Sequence, residues 1–246
     1  MREKRRGNSG RRALLILALL ALACVLLARG VFVVRHVTVR GAVSVPQEDV
    51  VRAAGIQPDT SIFAVDEAAA RRGVNALGTV AVEQIGIRYP NTVQITVRAR
   101  ERAAMALFMG KIRILDPEGV VMEATDEAPN MDLVYVSGLQ PSAAEIGSPI
   151  GVSEAQLEAY RAVISAIRQN GASGYVSQLD LDAPEAITLC TRRGITVLLG
   201  DVQNMGDKIA WMKSAVADLE QRGESGGTLD VSSAEKADYR PAQSGT

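Results

Sequence analysis

Apolar residues fill every position from Ala13 to Ala28. At 1.5 Å per helical residue that run measures about 24 Å, short of a ~30 Å hydrocarbon layer. Val31–Val34 resume the apolar character after Arg29 and Gly30. A helix from Ala13 to Val34 would reach about 33 Å, with Arg29 snorkelling toward the far headgroups. The pattern predicts one transmembrane helix over residues 13–34.

Beyond it the period changes. Val37 and Val39 alternate with Thr38 and Arg40 up to Gly41, which predicts a short strand. Ser44, Pro46 and Gln47 spell a capping box for a helix bearing Val50, Val51 and Ala54 and ending at Gly55. Ile62 and Phe63 fall in an extended connection. Asp66 caps a second helix with Ala70, Val74 and Leu77 on one side, stopped by Gly78. Val80, Val82, Ile85, Ile87 and Tyr89 form a strand whose phase slips between Val82 and Ile85, as a bulge would cause. After a Pro90-Asn91 turn, Val93, Ile95 and Val97 alternate with polar residues, so the two strands form an antiparallel hairpin. The order is β-α-α-β-β.

From Arg102 the pattern predicts a larger unit. Ala106–Phe108, Ile112–Leu115 and Leu133–Val136 read as strands, and Val120–Met122 leads away from a turn at Asp116–Gly119. Ser153 caps a helix with Leu157, Tyr160, Ile164 and Ile167 on one face, ended by Gly171. In the strand Val176–Leu181, Val176 is out of phase with Leu179 and Leu181; a strand at Ile187 and Leu189 follows. Ile195, Val197 and Leu199 alternate with Thr196 and Leu198, which predicts burial on both faces. A helix over residues 204–222 carries Ile209, Met212, Val216 and Leu219, with Gly223 beyond it. Thr228–Ser232 is read as the last strand.

Charge gives the first segment a direction. Arg2, Lys4, Arg5, Arg6, Arg11 and Arg12 oppose only Glu3 before the apolar run, and basic flanks stay in the cytoplasm. The tail, residues 1–12, is therefore expected inside and the bulk outside. A cleaved signal peptide shares this layout. Ala21-Leu22-Ala23 is a small-residue site, followed by Cys24 as in a lipoprotein signal. The apolar run continues past it through Val25, Leu26 and Leu27, which favours a retained anchor.

Two sets of residues carry a family resemblance. The first is Val39-Arg40-Gly41, Gly55-Ile56, Ile62-Phe63-Ala64-Val65-Asp66, Arg88-Tyr89-Pro90-Asn91-Thr92-Val93, and the exit from Val97 to Ala104. It resembles a POTRA domain, and more narrowly that of the bacterial division proteins FtsQ and DivIB. The family's usual proline and aliphatic residue after Glu101-Arg102 are here Ala103-Ala104. The second set is Leu115-Asp116-Pro117-Glu118-Gly119-Val120-Val121, Val197-Leu198-Leu199-Gly200-Asp201, Lys208-Ile209, Leu229-Asp230-Val231 and Tyr239-Arg240-Pro241. It resembles the β domain of the same family.

The resemblance implies an α+β fold: a single transmembrane helix, a POTRA domain over residues 35–102, and a mixed α/β "β domain" with mainly antiparallel sheet over 103–241. Residues 242–246 would be a tail. It also implies a scaffold of the cytoplasmic membrane, found at the septum, that regulates septal peptidoglycan synthesis. Its β domain would bind small coiled-coil membrane proteins, FtsB/DivIC-like and FtsL-like, and its POTRA domain other division proteins. The implied partner-binding residues are Gly227, Thr228, Leu229, Asp230, Val231, Ser232, Tyr239 and Arg240. A sheet-edge strand offers unpaired backbone groups to which a partner segment adds. Leu229 and Val231 are as well suited to a core as to a partner, so Asp230 and Tyr239 are the better contacts.

Composition removes other readings. The 246 residues carry a net charge of −1 and 4% aromatics, unlike a nucleic-acid binder. That balance divides: outside the tail, 21 basic residues face 27 acids. One histidine, His36, leaves no paired-His zinc site, and Cys24 and Cys190 make no disulfide framework. No cofactor is implied and no enzyme. Ser233-Ala234-Glu235-Lys236 spells S-x-x-K without any later K-T-G, a chance match. A membrane-tethered hydrolase would have to use His36, beside the membrane. A POTRA-bearing envelope chaperone or secretion component would bring tandem POTRA units or a barrel. Nine acids and no Lys or Arg lie between Arg113 and Arg161, a solvated face or a surface for a basic partner.

Overall fold

The computed structural model describes residues 13–20, 30–41, 45–129 and 133–242. Residues 13–20 are helical, and no helix among the described residues is long and apolar enough to cross a membrane. The predicted tail and much of the predicted anchor, residues 21–29, lie outside the described residues. The far end of the predicted helix 13–34 is not helical: Val33 bridges to Ser61 and Val34 is buried in the first folded unit. The chain divides into two compact units. One comprises Ala81–Arg98 with the chain up to Val74; the other runs from Ala99 onward with Asn75–Val80.

The first unit follows the predicted β-α-α-β-β order. Strand β1 is His36–Arg40, helix α1 Gln47–Ala54, helix α2 Glu67–Asn75, strand β2 Val80–Arg88 and strand β3 Thr92–Ala99. The sheet order is β1-β3-β2, and β1 runs parallel to β3 with Val39 opposite Ile95. Val50, Val74, Val93, Ile95 and Val97 are buried from three sides of this small core. Asp66 caps α2 by accepting the Ala69 N–H at 2.9 Å. Gly55 closes α1 at φ 63°, a conformation open to glycine.

Two local readings change and a third holds. Pro46 sits at the N-cap of α1, and no side chain among the described residues caps it; Ser44 lies outside the described residues. Ile62 and Phe63 form a 3₁₀ turn, Ile62–Ala64, rather than an extended connection, with Ile62 buried and Phe63 exposed. In β2 the buried residues pass from Val80 and Val82 to Ile85 across exposed Glu83 and Gln84, which is the phase slip the sequence carries.

The second unit is a nine-stranded sheet with two helices. Its strands are β4 Ala104–Phe108, β5 Lys111–Leu115, β6 Val121–Thr125, β7 Val134–Ser137, β8 Val176–Asp180, β9 Ile187–Thr191, β10 Thr196–Gly200, β11 Thr228–Asp230 and β12 Asp238–Arg240. The order is β12-β11-β10-β9-β8-β7-β4-β5-β6. The β4–β7, β7–β8 and β10–β11 pairs are parallel and the others antiparallel, so the sheet is mainly antiparallel. Helices α3, Glu154–Gln169, and α4, Met205–Gln221, share one hydrophobic core with the strands. Tyr160, Ile164 and Ile167 of α3 and Ile209, Met212 and Val216 of α4 meet Val136, Leu179, Leu189, Val197 and Leu229 there.

The predicted phase problem in β8 is a register shift between Val176 and Gln178, so Val176 and Leu179 both reach the core. Strand β10 is not buried on both faces. Val197 and Leu199 are buried, whereas Thr196 is exposed and Leu198 half-buried, because the helices cover one side only.

One polar cluster is built into this unit. The Asp116 side chain, 1% exposed, ion-pairs with Arg100 and accepts the Glu118 and Val120 N–H groups at 2.9 and 2.8 Å. Its carbonyl accepts the Tyr160 hydroxyl at 2.7 Å. Burial, with Asp116 and Glu118 adding to it, pushes the Tyr160 hydroxyl well above the usual range. That group stays a neutral donor at any physiological pH.

Candidate partner-binding edge

The sequence placed a sheet edge at Thr228–Ser232, and the structure moves it. Strand β11 ends at Asp230 and lies between two neighbours, β10 on one side and β12 on the other. The edge is β12, three residues that the sequence reading did not recognise as a strand. Nothing alternates over Asp238-Tyr239-Arg240; the one available signal was an aromatic residue bracketed by charges.

Backbone directions follow from the pairing. Thr196 N–H donates to the Gly227 carbonyl and Val231 N–H to the Leu198 carbonyl, both at 3.0 Å. The alternation of a parallel ladder then turns the Leu229 backbone to β10, and those of Thr228 and Asp230 to β12. Thr228 stands opposite Arg240 and Asp230 opposite Asp238. Arg240 and Asp238 therefore face inward along the backbone, and Tyr239 presents its N–H and C=O outward. Pro241, with no N–H, ends this row of donors.

The side chains divide differently. Leu229 and Val231 are fully buried in the core. The Asp230 carboxylate accepts the Ser232 N–H at 3.0 Å and its hydroxyl at 2.7 Å, bonds that hold its pKa below the usual 3.8. Both bonds fall on Oδ1, so the carboxylate braces its own turn through that oxygen. Stability gained from a depressed carboxylate is present above its ordinary pKa and lost as pH falls through the lowered one. Hydrogen-exchange protection of this turn is expected to hold from neutral pH down to about pH 4. Tyr239 packs against the core, and its hydroxyl donates to the Gly226 carbonyl at 3.1 Å. Of the predicted contact residues, Tyr239 offers backbone, Arg240 an exposed guanidinium and Asp230 its second carboxylate oxygen. Asp238, paired with Lys236 at 2.6 Å, stands beside them.

Gly227 lets β12 lie this close. Its φ is 82°, and a Cβ there would come within 2.5 Å of the Arg240 carbonyl oxygen. Gly227→Ala is expected to lift β12 from β11, read as lost hydrogen-exchange protection at Asp238 and Arg240 with β9 and β10 unchanged. Protection that persists at both positions would sink this.

The opposite edge is covered at its start. Gly147 N–H donates to the Val121 carbonyl at 2.8 Å and Val121 N–H to the Ser148 carbonyl at 2.9 Å. The acidic stretch is partly neutralised from outside: Arg161 meets Glu118, Arg102 meets Glu123 and Lys111 meets Asp126. Among the described residues no His, Cys, Asp and Glu side chains group as metal ligands. Ser233–Lys236 lies in the turn between β11 and β12, with Ala234 at φ 56°, and not at the helix start that an S-x-x-K nucleophile requires.

Sequence comparison matches both units. The POTRA domain, FtsQ-type, matches residues 32–100. The family "Cell division protein FtsQ/DivIB, C-terminal" matches residues 106–238, more than half of the chain. The chain belongs to the FtsQ/DivIB family. Its members include cell division protein FtsQ of Caulobacter vibrioides, 31% identical over 46% of this chain and 38% of that protein. Cell division protein DivIB of Clostridium botulinum is 25% identical over 61% of this chain and 59% of its own. The chain thus spans less than two thirds of the length of either relative. The major extracytoplasmic domain of DivIB from Geobacillus stearothermophilus aligns over 50% of this chain and 95% of that one, with 14% identity and a TM-score of 0.33. Family membership puts the chain among the proteins of bacterial cell division.

Proposed function

We propose that this chain is a non-enzymatic, single-pass membrane scaffold of the bacterial division machinery. The tail lies in the cytoplasm, an anchor that starts at Ala13 and ends before Phe32 crosses the membrane, and both folded units face the extracytoplasmic side at the septum. The second unit takes up a segment of an FtsB/DivIC-like or FtsL-like membrane protein as an added strand along β12. Through that contact it regulates septal peptidoglycan synthesis. The first unit docks other division proteins.

The observation that carries this reading is the β12 edge, with the Tyr239 N–H and C=O turned outward and ion-pairing side chains beside them. Strand addition needs such a row of free backbone groups. The anchor is supported by Leu14–Leu17, Leu19 and Leu20, which are 59% to 71% exposed on helical turns that no other part of the described chain covers. Apolar surface of this extent calls for lipid or a partner. The basic tail supports the orientation.

A fluorescent fusion of the full chain in dividing cells is expected to form a midcell band, and the coiled-coil partners to come down with it. A uniform membrane signal through the division cycle would count against the division role. Release of the full chain into the soluble fraction would count against the anchor.

A further inference from the structure

Three aromatic rings cluster on the first unit without entering its core. Phe32, Phe63 and Tyr89 stand with ring centroids 5.7, 6.1 and 6.2 Å apart. Phe63 is 66% and Tyr89 64% exposed. The chain has three phenylalanines, and two of them are in this exposed cluster. The neighbouring residue Ile62 is fully buried, so the 3₁₀ turn already has its core anchor and Phe63 adds nothing to it.

The cluster is fixed in place by backbone bonds. Ile62 N–H donates to the Phe32 carbonyl at 3.0 Å, Val34 N–H to Thr60 at 2.8 Å, and Arg35 N–H to Asn91 at 2.9 Å. Phe32 is thereby held between the 3₁₀ turn and the β2–β3 turn that carries Tyr89. Val34, 1% exposed, is part of the unit's core. The folded unit therefore begins at Phe32, four residues after the apolar run ends at Ala28. Four residues span at most about 14 Å. The headgroup layer on each side of a bilayer is about 5–8 Å deep.

The surroundings fit a lipid surface. Val31 is 45% exposed next to Phe32, and Arg35, His36 and Arg88 are exposed close to the rings along the chain; the exposed acids of the connection are Asp59 before Phe63 and Asp66 and Glu67 after it. Aromatic rings with basic neighbours are the composition that settles at the headgroup boundary.

We propose that Phe32, Phe63 and Tyr89 form a lipid-facing foot that inserts into the headgroup–acyl boundary of the extracytoplasmic leaflet. The proposal rests on the reading of Ala13–Ala28 as a membrane anchor. The foot sets the first unit against the bilayer in one orientation instead of leaving it to swing on the anchor.

The test uses the full chain in vesicles of phosphatidylethanolamine and phosphatidylglycerol. Trp211, the one tryptophan, is replaced by Trp211→Phe and a reporter introduced by Phe63→Trp, or by Tyr89→Trp in a second variant. Emission is expected to shift to shorter wavelength, with quenching stronger by lipids spin-labelled near the headgroup than at the chain end. The unaltered protein, reporting from Trp211 on α4, is expected to show neither. Co-flotation with the vesicles is measured in the same samples. If the protein floats but both reporters emit as in water without lipid quenching, the foot is wrong and the anchor stands. Reporters shielded only when a division partner is added would overturn it too, by making the patch a protein contact. If the protein does not float, the anchor reading falls and the foot with it.

Discussion

Asp116→Ala is expected to lower the unfolding temperature of the second unit by on the order of 10 °C. Removing one partner of a buried ion pair destabilises by about 3–5 kcal/mol, since the remaining charge is left without compensation. For a unit of this size each kcal/mol moves the midpoint by about 2–4 °C. Here the change strands the Arg100 guanidinium, which is 5% exposed, and orphans the Glu118 and Val120 N–H groups. Asp116→Asn keeps an acceptor for the two N–H groups, so combining it with Arg100→Met is expected to recover most of the loss. Calorimetry on the three variants decides it. A midpoint shift of under about 2 °C for Asp116→Ala would show that the cluster is not an anchor of the fold.

Tyr239→Pro is expected to weaken binding of the proposed coiled-coil partner about two- to ten-fold while leaving the sheet intact. The one backbone hydrogen bond lost, contributing about 0.5–1.5 kcal/mol, corresponds to that range at 1.4 kcal/mol per decade, since the carbonyl of residue 239 remains. Proline is tolerated in an edge strand where the missing N–H would have faced solvent. At position 239 it removes the donor offered to a partner. At position 240 it removes one offered to β11, so Arg240→Pro is expected to loosen β12 itself and lower the unfolding temperature. Tyr239→Phe deletes only the hydroxyl bonded to Gly226 and is expected to bind within a few-fold of the parent. Equal binding by the parent and by Tyr239→Pro, with the sheet intact in both, would rule out strand addition at this edge. Substitutions within Thr228–Ser232 discriminate poorly, because Leu229 and Val231 are core residues.

What the sequence made legible is what local pattern controls. Val93, Ile95 and Val97 alternate because one face of β3 is buried, and Ser153 and Asp66 cap helices through bonds made within three residues. The phase slips at Val82 and Val176 were visible because a bulge shifts every later side chain. What stayed hidden depends on distant partners. Strand β12 exists because Gly227 and β11 receive it; three residues carry no period. The Arg100–Asp116 pair needs two segments brought together by folding, and neither residue differs in sequence from a surface charge. The aromatic cluster combines Phe32, Phe63 and Tyr89 from three loops, and each of them alone resembles a core residue.

The two ends of the large sheet have a bearing on how many molecules can join. Growth of a filament by edge pairing requires each subunit to carry two open edges. In this chain β6 is covered at its start by Gly147 and Ser148, and the β12 row stops at Pro241. A segment that pairs with Tyr239 therefore adds at the β12 end, while the start of β6 at the other end is already occupied. On the proposed function, the expected stoichiometry is one partner segment per chain, so the number of copies of this chain sets the number of partners held.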